Sequence, residues 1–283
     1  MKIRKAILAG SWYPGSASGC EKEIKSFLKD DRQETVSERV YTGGIAPHAG
    51  WYFSGSIACN VIHRLKDQNP PDAFVVFGMH LHANSPAYIM NDGGWETPFG
   101  AIEIERALAA ELVEKFPFQI ETAKDFTQDN TIELQLPFIK YFFEDAKLVP
   151  IGVPPTQHSL EIGKAVADIS KRLGLRIKVV GSTDLTHYGP NYGLLTKGTG
   201  SAALDWVRNE NDRRVIDAML DMDPYTVISE GLANHNACCS GAVATAIATA
   251  KQLGAEKAET IAYATSYDKS PGDSFVGYVG IVF

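Results

Sequence analysis

The sequence is poor in cysteine, and its cysteines form no recognised pair motif. It has four, Cys20, Cys59, Cys238 and Cys239, and no two of them are separated by two residues. This spacing excludes a zinc ribbon and a thioredoxin-type redox motif.

Positively charged residues are fewer than negatively charged ones. The 27 Lys and Arg residues against 34 Asp and Glu residues give a net charge of −7. A nucleic-acid-binding protein needs a basic face to neutralise phosphates, so this class is excluded as well.

Long apolar runs are also missing. No stretch approaches the roughly 20 apolar residues of a membrane-spanning helix. The apolar segment 6–9, which follows the basic residues Lys2, Arg4 and Lys5, is too short for the hydrophobic region of a signal peptide. These features predict a cytoplasmic protein with reduced thiols and no membrane partner.

Apolar, β-branched runs alternate along the chain with segments of helical period. Such alternation predicts an α/β fold with a central, mostly parallel sheet flanked by helices, and the chain reads as a single domain over residues 1–283. The predicted strands are Val40–Ala46, Ala73–Phe77, Lys147–Val153, Arg176–Ser182, Ile261–Ser266 and Ser274–Phe283. The predicted helices are Ser54–Leu65, Ile104–Phe116, Ser159–Leu173, Arg213–Leu220 and Gly241–Leu253.

Metal-binding residue types collect just after the predicted strands. His48 follows the first strand, His80 and His82 follow the second, and His187 follows the fourth. Sites in α/β sheets form at the carboxyl ends of the strands, so we expect these side chains to converge. A thiolate at a helix N-terminus is a good metal ligand, and either Cys238 or Cys239 fits that description equally well by spacing alone.

Five motifs, in this order and spread over nearly the whole chain, resemble those of the Memo family, also named AmmeMemoRadiSam system protein B. This family is related to the class III extradiol dioxygenases, so the resemblance implies a single α/β domain with the fold of those enzymes. The motifs are Gly10-Ser11-Trp12-Tyr13-Pro14, Ala46-Pro47-His48-Ala49-Gly50, Ile132-Glu133-Leu134-Gln135-Leu136-Pro137-Phe138, Ser182-Thr183-Asp184-Leu185-Thr186-His187-Tyr188-Gly189 and Ser266-Tyr267-Asp268.

The resemblance also implies a ligand set. Extradiol dioxygenases of class III hold Fe(II) with two His and one carboxylate, and Memo-like proteins are similar but have a Cys in place of the carboxylate. Carried over to this chain, the metal ligands are His48, His80 and Cys238, with Fe(II) first and copper or zinc as alternatives. His82 stays open as an alternative to His80, because the segment Gly78-Met79-His80 is one residue shorter than the family pattern.

The same resemblance implies roles around the metal. His187 matches the acid/base histidine of the dioxygenases. Asp184, three residues earlier, is a candidate either for orienting a ligand by hydrogen bonding or for capping a turn or helix. Asn130 stands where a pocket histidine is expected, and Asn cannot carry a proton near neutral pH. Apart from the resemblance, aromatic residues flank these motifs and are candidates either for a cleft wall that accepts a small molecule or a peptide or for packing at the sheet edge; they are Trp12, Tyr13, Trp51, Tyr52 and Tyr188.

Three functions remain open at this level. The first is an iron- or copper-dependent oxidoreductase related to the extradiol dioxygenases. The second is a non-enzymatic protein that binds a metal, a peptide or a partner protein, for which the resemblance implies a radical-SAM enzyme as the partner. The third is a zinc-dependent hydrolase in which His187 relays a proton.

Overall fold

A computed structural model describes residues 1–29 and 40–283, which alternate between strands and helices. The strands are β1 (Ile3–Arg4), β2 (Gly43–Ala46), β3 (Ala73–Gly78), β4 (Ala87–Met90), β5 (Gly94–Trp95), β6 (Ile102–Glu103), β7 (Phe118–Glu121), β8 (Lys147–Gly152), β9 (Ile177–Ser182), β10 (His187–Tyr188), β11 (Glu259–Thr265) and β12 (Phe275–Val282). The helices are α1 (Ala17–Lys29), α2 (Ser56–Arg64), α3 (Arg106–Lys115), α4 (Asn130–Glu133), α5 (Leu136–Phe142), α6 (Gln157–Arg172), α7 (Ser201–Trp206), α8 (Asp212–Leu220), α9 (Pro224–Asn234) and α10 (Ser240–Leu253), and π-helical turns cover Trp51–Gly55 and Val207–Asn211.

The main sheet has nine strands among the described residues, in the order β10-β12-β2-β9-β3-β8-β4-β7, with β11 paired to β12. Its four central strands, β2, β9, β3 and β8, are parallel. The α/β fold predicted from the sequence, with helices flanking a central sheet, is confirmed. The sheet is mixed, however, because β12 runs antiparallel to β2, and β4 runs antiparallel to β8. Strands β11 and β12 are joined by residues 266–274, too short a connection for a parallel crossover, so they pair antiparallel.

The six predicted strands correspond to β2, β3, β8, β9, β11 and β12. The first of them begins three residues later than predicted, at Gly43. All six residues of β3 are buried, as a strand covered on both faces requires. The sequence pattern did not predict the short strands β4 to β7, whose two to four residues are too few for a clear period.

Helix α10 lies unusually close to strand β9, at a point set by Gly181. A Cβ atom at Gly181 would lie 3.0 Å from Val243 Cα and 3.0 Å from Ala246 Cβ, both on α10. Glycine therefore lets this helix approach the sheet and brings its N-terminus to the carboxyl end of β9. Helix α6 packs on α10, while α2 packs on β2 and β12. None of the helices in the described part of the chain is long and apolar enough to span a membrane.

Candidate metal centre

Three neighbouring parallel strands end at the same level and carry the predicted ligands. Ala46 of β2 pairs with Ser182 of β9, and Phe77 of β3 pairs with Gly181 of β9. His48 and His80 each stand two residues beyond their strand, on either side of β9. The two imidazole centroids are 5.0 Å apart with the rings nearly perpendicular. The register of the sheet therefore brings together two histidines that are 32 positions apart in the sequence.

The backbone turns sharply just before His80. Met79 has a φ of 72°, in the left-handed region that side chains other than Gly, Asn and Asp rarely adopt. Its backbone N–H donates to Thr131 Oγ1 at 2.7 Å, and its side chain is buried against Gly152. These contacts hold a strained residue where the chain must turn His80 toward His48, and such strain is common at functional sites.

The third element of the site is the segment that leads into α10. Cys238 Sγ lies 3.3 Å from His48 Nε2, and Cys239 Sγ lies 3.8 Å from Cys238 Sγ. One ligand atom from each of His48, His80, Cys238 and Cys239 lies within 4.8 Å of the other three. The fold thus gathers two imidazoles and two thiols into a group small enough to share one ion.

Both histidines are fixed through Nδ1, which leaves Nε2 for a metal ion. His80 Nδ1 is 3.1 Å from Asp129 Oδ2, and this carboxylate also accepts from the His80 backbone N–H at 3.1 Å. His48 Nδ1 is 3.0 Å from Ser182 Oγ, whose hydroxyl donates to the Thr131 carbonyl at 2.7 Å. Since that hydroxyl proton is used, Ser182 accepts from His48 Nδ1–H. Hydrogen bonds of this kind fix the tautomer and orientation of metal-binding histidines.

The charges in this group depend on one another. The His80 side chain is 44% exposed, so its partial burial disfavours protonation only in part. Hydrogen bonds to Asp129 and Cys238 outweigh this effect and raise its pKa to about 10. Burial also opposes ionisation of Cys238, but the hydrogen bond to Cys239 and the charge of His48 lower its pKa well below the usual value. A thiolate and imidazoles held in contact are the ligand forms that a metal ion needs once it displaces the imidazole protons.

Asp184 and His187 occupy different positions relative to this group. Asp184 is buried, and its Oδ1 accepts from the His48 backbone N–H at 2.7 Å, while its own N–H donates to Cys238 Sγ at 3.3 Å. It therefore fixes the loops that carry two of the predicted ligands, although not through the imidazole ring. His187 lies 3.1 Å through Nδ1 from the Leu185 carbonyl and packs edge-on against Tyr192. Its acid/base role stays a prediction.

His82 lies outside the group. Its side chain is exposed, its backbone N–H donates to Ser85 Oγ, and none of its ring atoms is among the four clustered ligand atoms. Asn130, in contrast, lies at the site, where its Nδ2 donates to the His48 carbonyl at 2.8 Å. The sequence left His82 open as an alternative to His80, and the structure brings only His80 to His48.

The structure distinguishes the two roles that the sequence left open for the aromatic residues Trp51 and Tyr188. Trp51 is 1% exposed and stacks on Phe138 at 4.1 Å, and Tyr188 is fully buried and stacks on Phe275 at 5.4 Å. Neither side chain has surface left for a ligand. Of the two roles that the sequence left open, Trp51 and Tyr188 therefore take the packing role.

An open cavity borders the metal group on the side of His80. It has a volume of about 320 Å³, and Trp12, Met79, Asp129 and Asn130 contribute to its wall. Trp12 is 42% exposed, so it is the aromatic side chain that a ligand can reach here. A small molecule in this cavity would lie next to the imidazole of His80.

Asp129 is the residue of this site that sequence reasoning missed. It reads as an ordinary helix N-cap, and its Oδ1 does accept from the Thr131 N–H at 2.8 Å. Its other oxygen holds His80, and those hydrogen bonds lower the pKa of Asp129 to about 2 against the opposing effect of burial. Only the folded chain shows that one carboxylate serves both the helix and the imidazole.

We expect Asp129→Asn to weaken zinc binding by about 10- to 100-fold, the usual cost of losing the carboxylate behind a metal-binding histidine. Asparagine is also a good N-cap, so helix α4 should keep its start. Competition titration against a chromophoric chelator measures the affinity. Asp125→Asn, an exposed change in the same loop, is the matched control. Equal zinc affinities for the two variants would show that Asp129 does not contribute to metal binding.

The comparisons with known proteins agree with one another. The family model described as Memo-like protein matches residues 4–282. A MEMO1 family protein of Pyrococcus furiosus is 37% identical over 99% of this chain and 98% of its own length. MEMO1 family proteins of Thermococcus onnurineus and Methanopyrus kandleri are 34% and 32% identical, also over 99% of this chain. Among solved structures, an uncharacterized protein of Escherichia coli K12 is similar in fold alone, with 13% identity and a TM-score of 0.50 over 80% of this chain and 90% of that one.

Proposed function

This chain belongs to the Memo family, and from that premise we propose that it is a metal-binding protein whose ion is held by His48, His80 and Cys238. The observation that supports this proposal most strongly is that a hydrogen bond at Nδ1 fixes the orientation of each imidazole ring. Each Nδ1 is engaged by its own partner, Ser182 or Asp129, and the Nε2 of His48 faces the Cys238 sulfur at 3.3 Å. Both rings are therefore held in a fixed orientation beside the thiol.

The donor chemistry favours a borderline or soft ion. Two imidazole nitrogens and a thiolate suit zinc and copper, whereas Fe(II) in related oxygenases is held by two His and a carboxylate. Both carboxylates nearby are engaged elsewhere, because Asp129 binds His80 and Thr131, and Asp184 binds the His48 backbone. Zinc or copper is therefore proposed before Fe(II), which the resemblance in sequence implies.

Metal analysis of protein purified without added metal, followed by zinc titration of the metal-free form, tests the proposal. We expect one zinc ion per chain, and a loss of more than about 100-fold in affinity for His80→Ala. This loss exceeds the one expected for a residue that only hydrogen-bonds to a metal-binding histidine. His82→Ala, two residues away and exposed, should bind as the unaltered protein does. Failure of the unaltered protein to bind zinc or copper with a stoichiometry near one would refute the metal-binding role.

The cavity beside His80 favours a second function, a metal-dependent oxidoreductase. A bound redox-active ion would supply electron transfer, while Trp12 and Asn130 would bind and orient a small substrate. His187 is proposed as the proton acceptor in this reading. Oxygen consumption by the iron- or copper-loaded protein with catechols tests it, and the comparison with His187→Gln tests the proton-transfer step. Tight metal binding without oxygen consumption would contradict the oxidoreductase function and leave metal binding as the proposed function.

A further inference from the structure

The second cysteine of the pair points into the same group as the first. Cys239 is 4% exposed, and its sulfur is one of the four clustered ligand atoms. It stands at the N-cap of α10, with a φ of −126° and a ψ of 52°. Consecutive residues of an extended chain place their side chains on opposite sides. Here the turn into the helix places both sulfurs on one side.

Two separate backbone contacts hold the pair in this arrangement. The Cys238 N–H donates to the Asp184 carbonyl at 3.1 Å, and the Cys239 N–H donates to Thr183 Oγ1 at 3.1 Å. Both acceptors belong to the loop that follows β9, the strand between the two histidine-bearing strands. The loop therefore sets the position of both thiols relative to His48 and His80.

The spacing of the two sulfurs fits shared coordination. They are 3.8 Å apart. An ideal tetrahedron with zinc–sulfur bonds of about 2.3 Å separates its two sulfurs by about 3.8 Å. The same tetrahedron separates a nitrogen from a sulfur by about 3.5 Å, close to the 3.3 Å between His48 Nε2 and Cys238 Sγ. The widest separation in the group, 4.8 Å, involves a nitrogen, because the two sulfurs are already 3.8 Å apart. It has to shorten by roughly 1.3 Å or more for all four atoms to reach one ion.

We propose that Cys239 is a fourth ligand, so that this protein holds its ion between two imidazole nitrogens and two thiolate sulfurs. This inference rests on the proposed metal-binding function and deepens it. The Cys239 S–H proton leaves to water as the sulfur–metal bond forms. A fourth protein ligand fills the position that a catalytic site keeps open for water or substrate. Such a set suits zinc or Cu(I) and favours holding the ion over activating oxygen.

X-ray absorption of the zinc-loaded, full-length protein counts the sulfur ligands directly. We expect two sulfur and two nitrogen neighbours, with zinc–sulfur distances of about 2.3 Å. Cys239→Ser should reduce the sulfur count to one while still binding zinc. Cys20→Ser changes a buried thiol in α1 and should leave the count at two. The sulfur count of the unaltered protein is the main measurement, and it does not depend on whether either variant folds.

The outcomes separate this inference from the function on which it rests. A single sulfur neighbour in the unaltered protein, with zinc bound, overturns the role of Cys239 and leaves the three-ligand site standing. An unchanged sulfur count in Cys239→Ser has the same meaning. A protein that takes up no zinc or copper overturns both.

Discussion

Cys238→Ser should weaken zinc binding by more than about 100-fold. This loss is larger than the one expected when a residue that only hydrogen-bonds to a metal ligand is removed. Its sulfur is the one in contact with His48, and it accepts from the Asp184 N–H at 3.3 Å, which stabilises its negative charge. These contacts prepare a thiolate before the ion arrives. A serine hydroxyl stays protonated near neutral pH and offers zinc a much poorer donor.

The fold should survive this substitution. A chain of this length buries a large apolar core, so its stability does not depend on one ion. Thermal unfolding of the metal-free forms checks this point, and competition titration measures the affinity. Cys20→Ser is the matched control, since Cys20 is buried in α1 away from the metal group and its thiol donates only to the Pro14 carbonyl among the described residues. If Cys238→Ser retains zinc and Cys239→Ser loses it, then Cys239, and not Cys238, is the main sulfur ligand.

Asp212→Asn should abolish a decline in stability that the unaltered protein undergoes between about pH 4 and pH 6. Asp212 is fully buried and accepts hydrogen bonds from the Thr186 N–H at 3.0 Å and the Tyr263 hydroxyl at 2.8 Å. Burial outweighs these bonds and raises its pKa from 3.8 to about 6. The folded state therefore retains a proton in a range where the unfolded chain releases it.

The sign of the effect follows from proton linkage. Below about pH 4 the carboxyl is protonated in both states, and its contribution to stability is complete. As the pH rises toward 6, the folded state binds more protons than the unfolded state, so the free energy of unfolding falls. A difference of about two pKa units corresponds to about 3 kcal/mol, which is lost by pH 7. Asn cannot ionise, so the variant should gain about that much relative to the parent over this range.

Urea unfolding at pH 4, 5, 6 and 7 measures the effect. Asp223→Asn gives a control of opposite sign, because hydrogen bonding to Thr226 lowers the pKa of this partly exposed carboxyl. The unaltered protein should gain stability relative to Asp223→Asn only as the pH rises through the ordinary carboxyl pKa of about 4, and the two profiles should run parallel from about pH 5 to pH 7. Parallel pH profiles for Asp212→Asn and the parent would show that Asp212 ionises normally in the folded protein.

The positions of the two histidines could be predicted because they depend on local pattern and sheet geometry. Runs such as Ala73–Phe77 are apolar on both faces, so the sequence alone identifies them as buried strands. Once the strands are parallel, the residues that follow them share one edge. His48 needed nothing further. The resemblance to the family motifs favoured His80 over His82, two positions away, but His82 stayed open until the structure showed that only His80 lies beside His48.

Side-chain direction at the ends of the elements could not be predicted in the same way. Trp51 and Tyr188 follow the site motifs as closely as any ligand does, yet they are buried against Phe138 and Phe275. Asp129 reads as a helix cap, and its second oxygen reaches His80 across 49 positions of sequence. Cys239 was an alternative to Cys238 by spacing, whereas the turn into α10 places both sulfurs in one group.

The sequence by itself determined the α/β class, the strands that carry the site and the residue types able to bind a metal, because these follow from hydrophobic period and from the chemistry of each side chain. Only the tertiary structure decided which side chain engages the Nδ1 of each imidazole, and that two sulfurs lie with two imidazoles. Those properties are distances between atoms on different loops. They are set by strand register, by the strained turn at Met79 and by the close packing of α10 on Gly181, and none of these is a property of a short stretch of sequence.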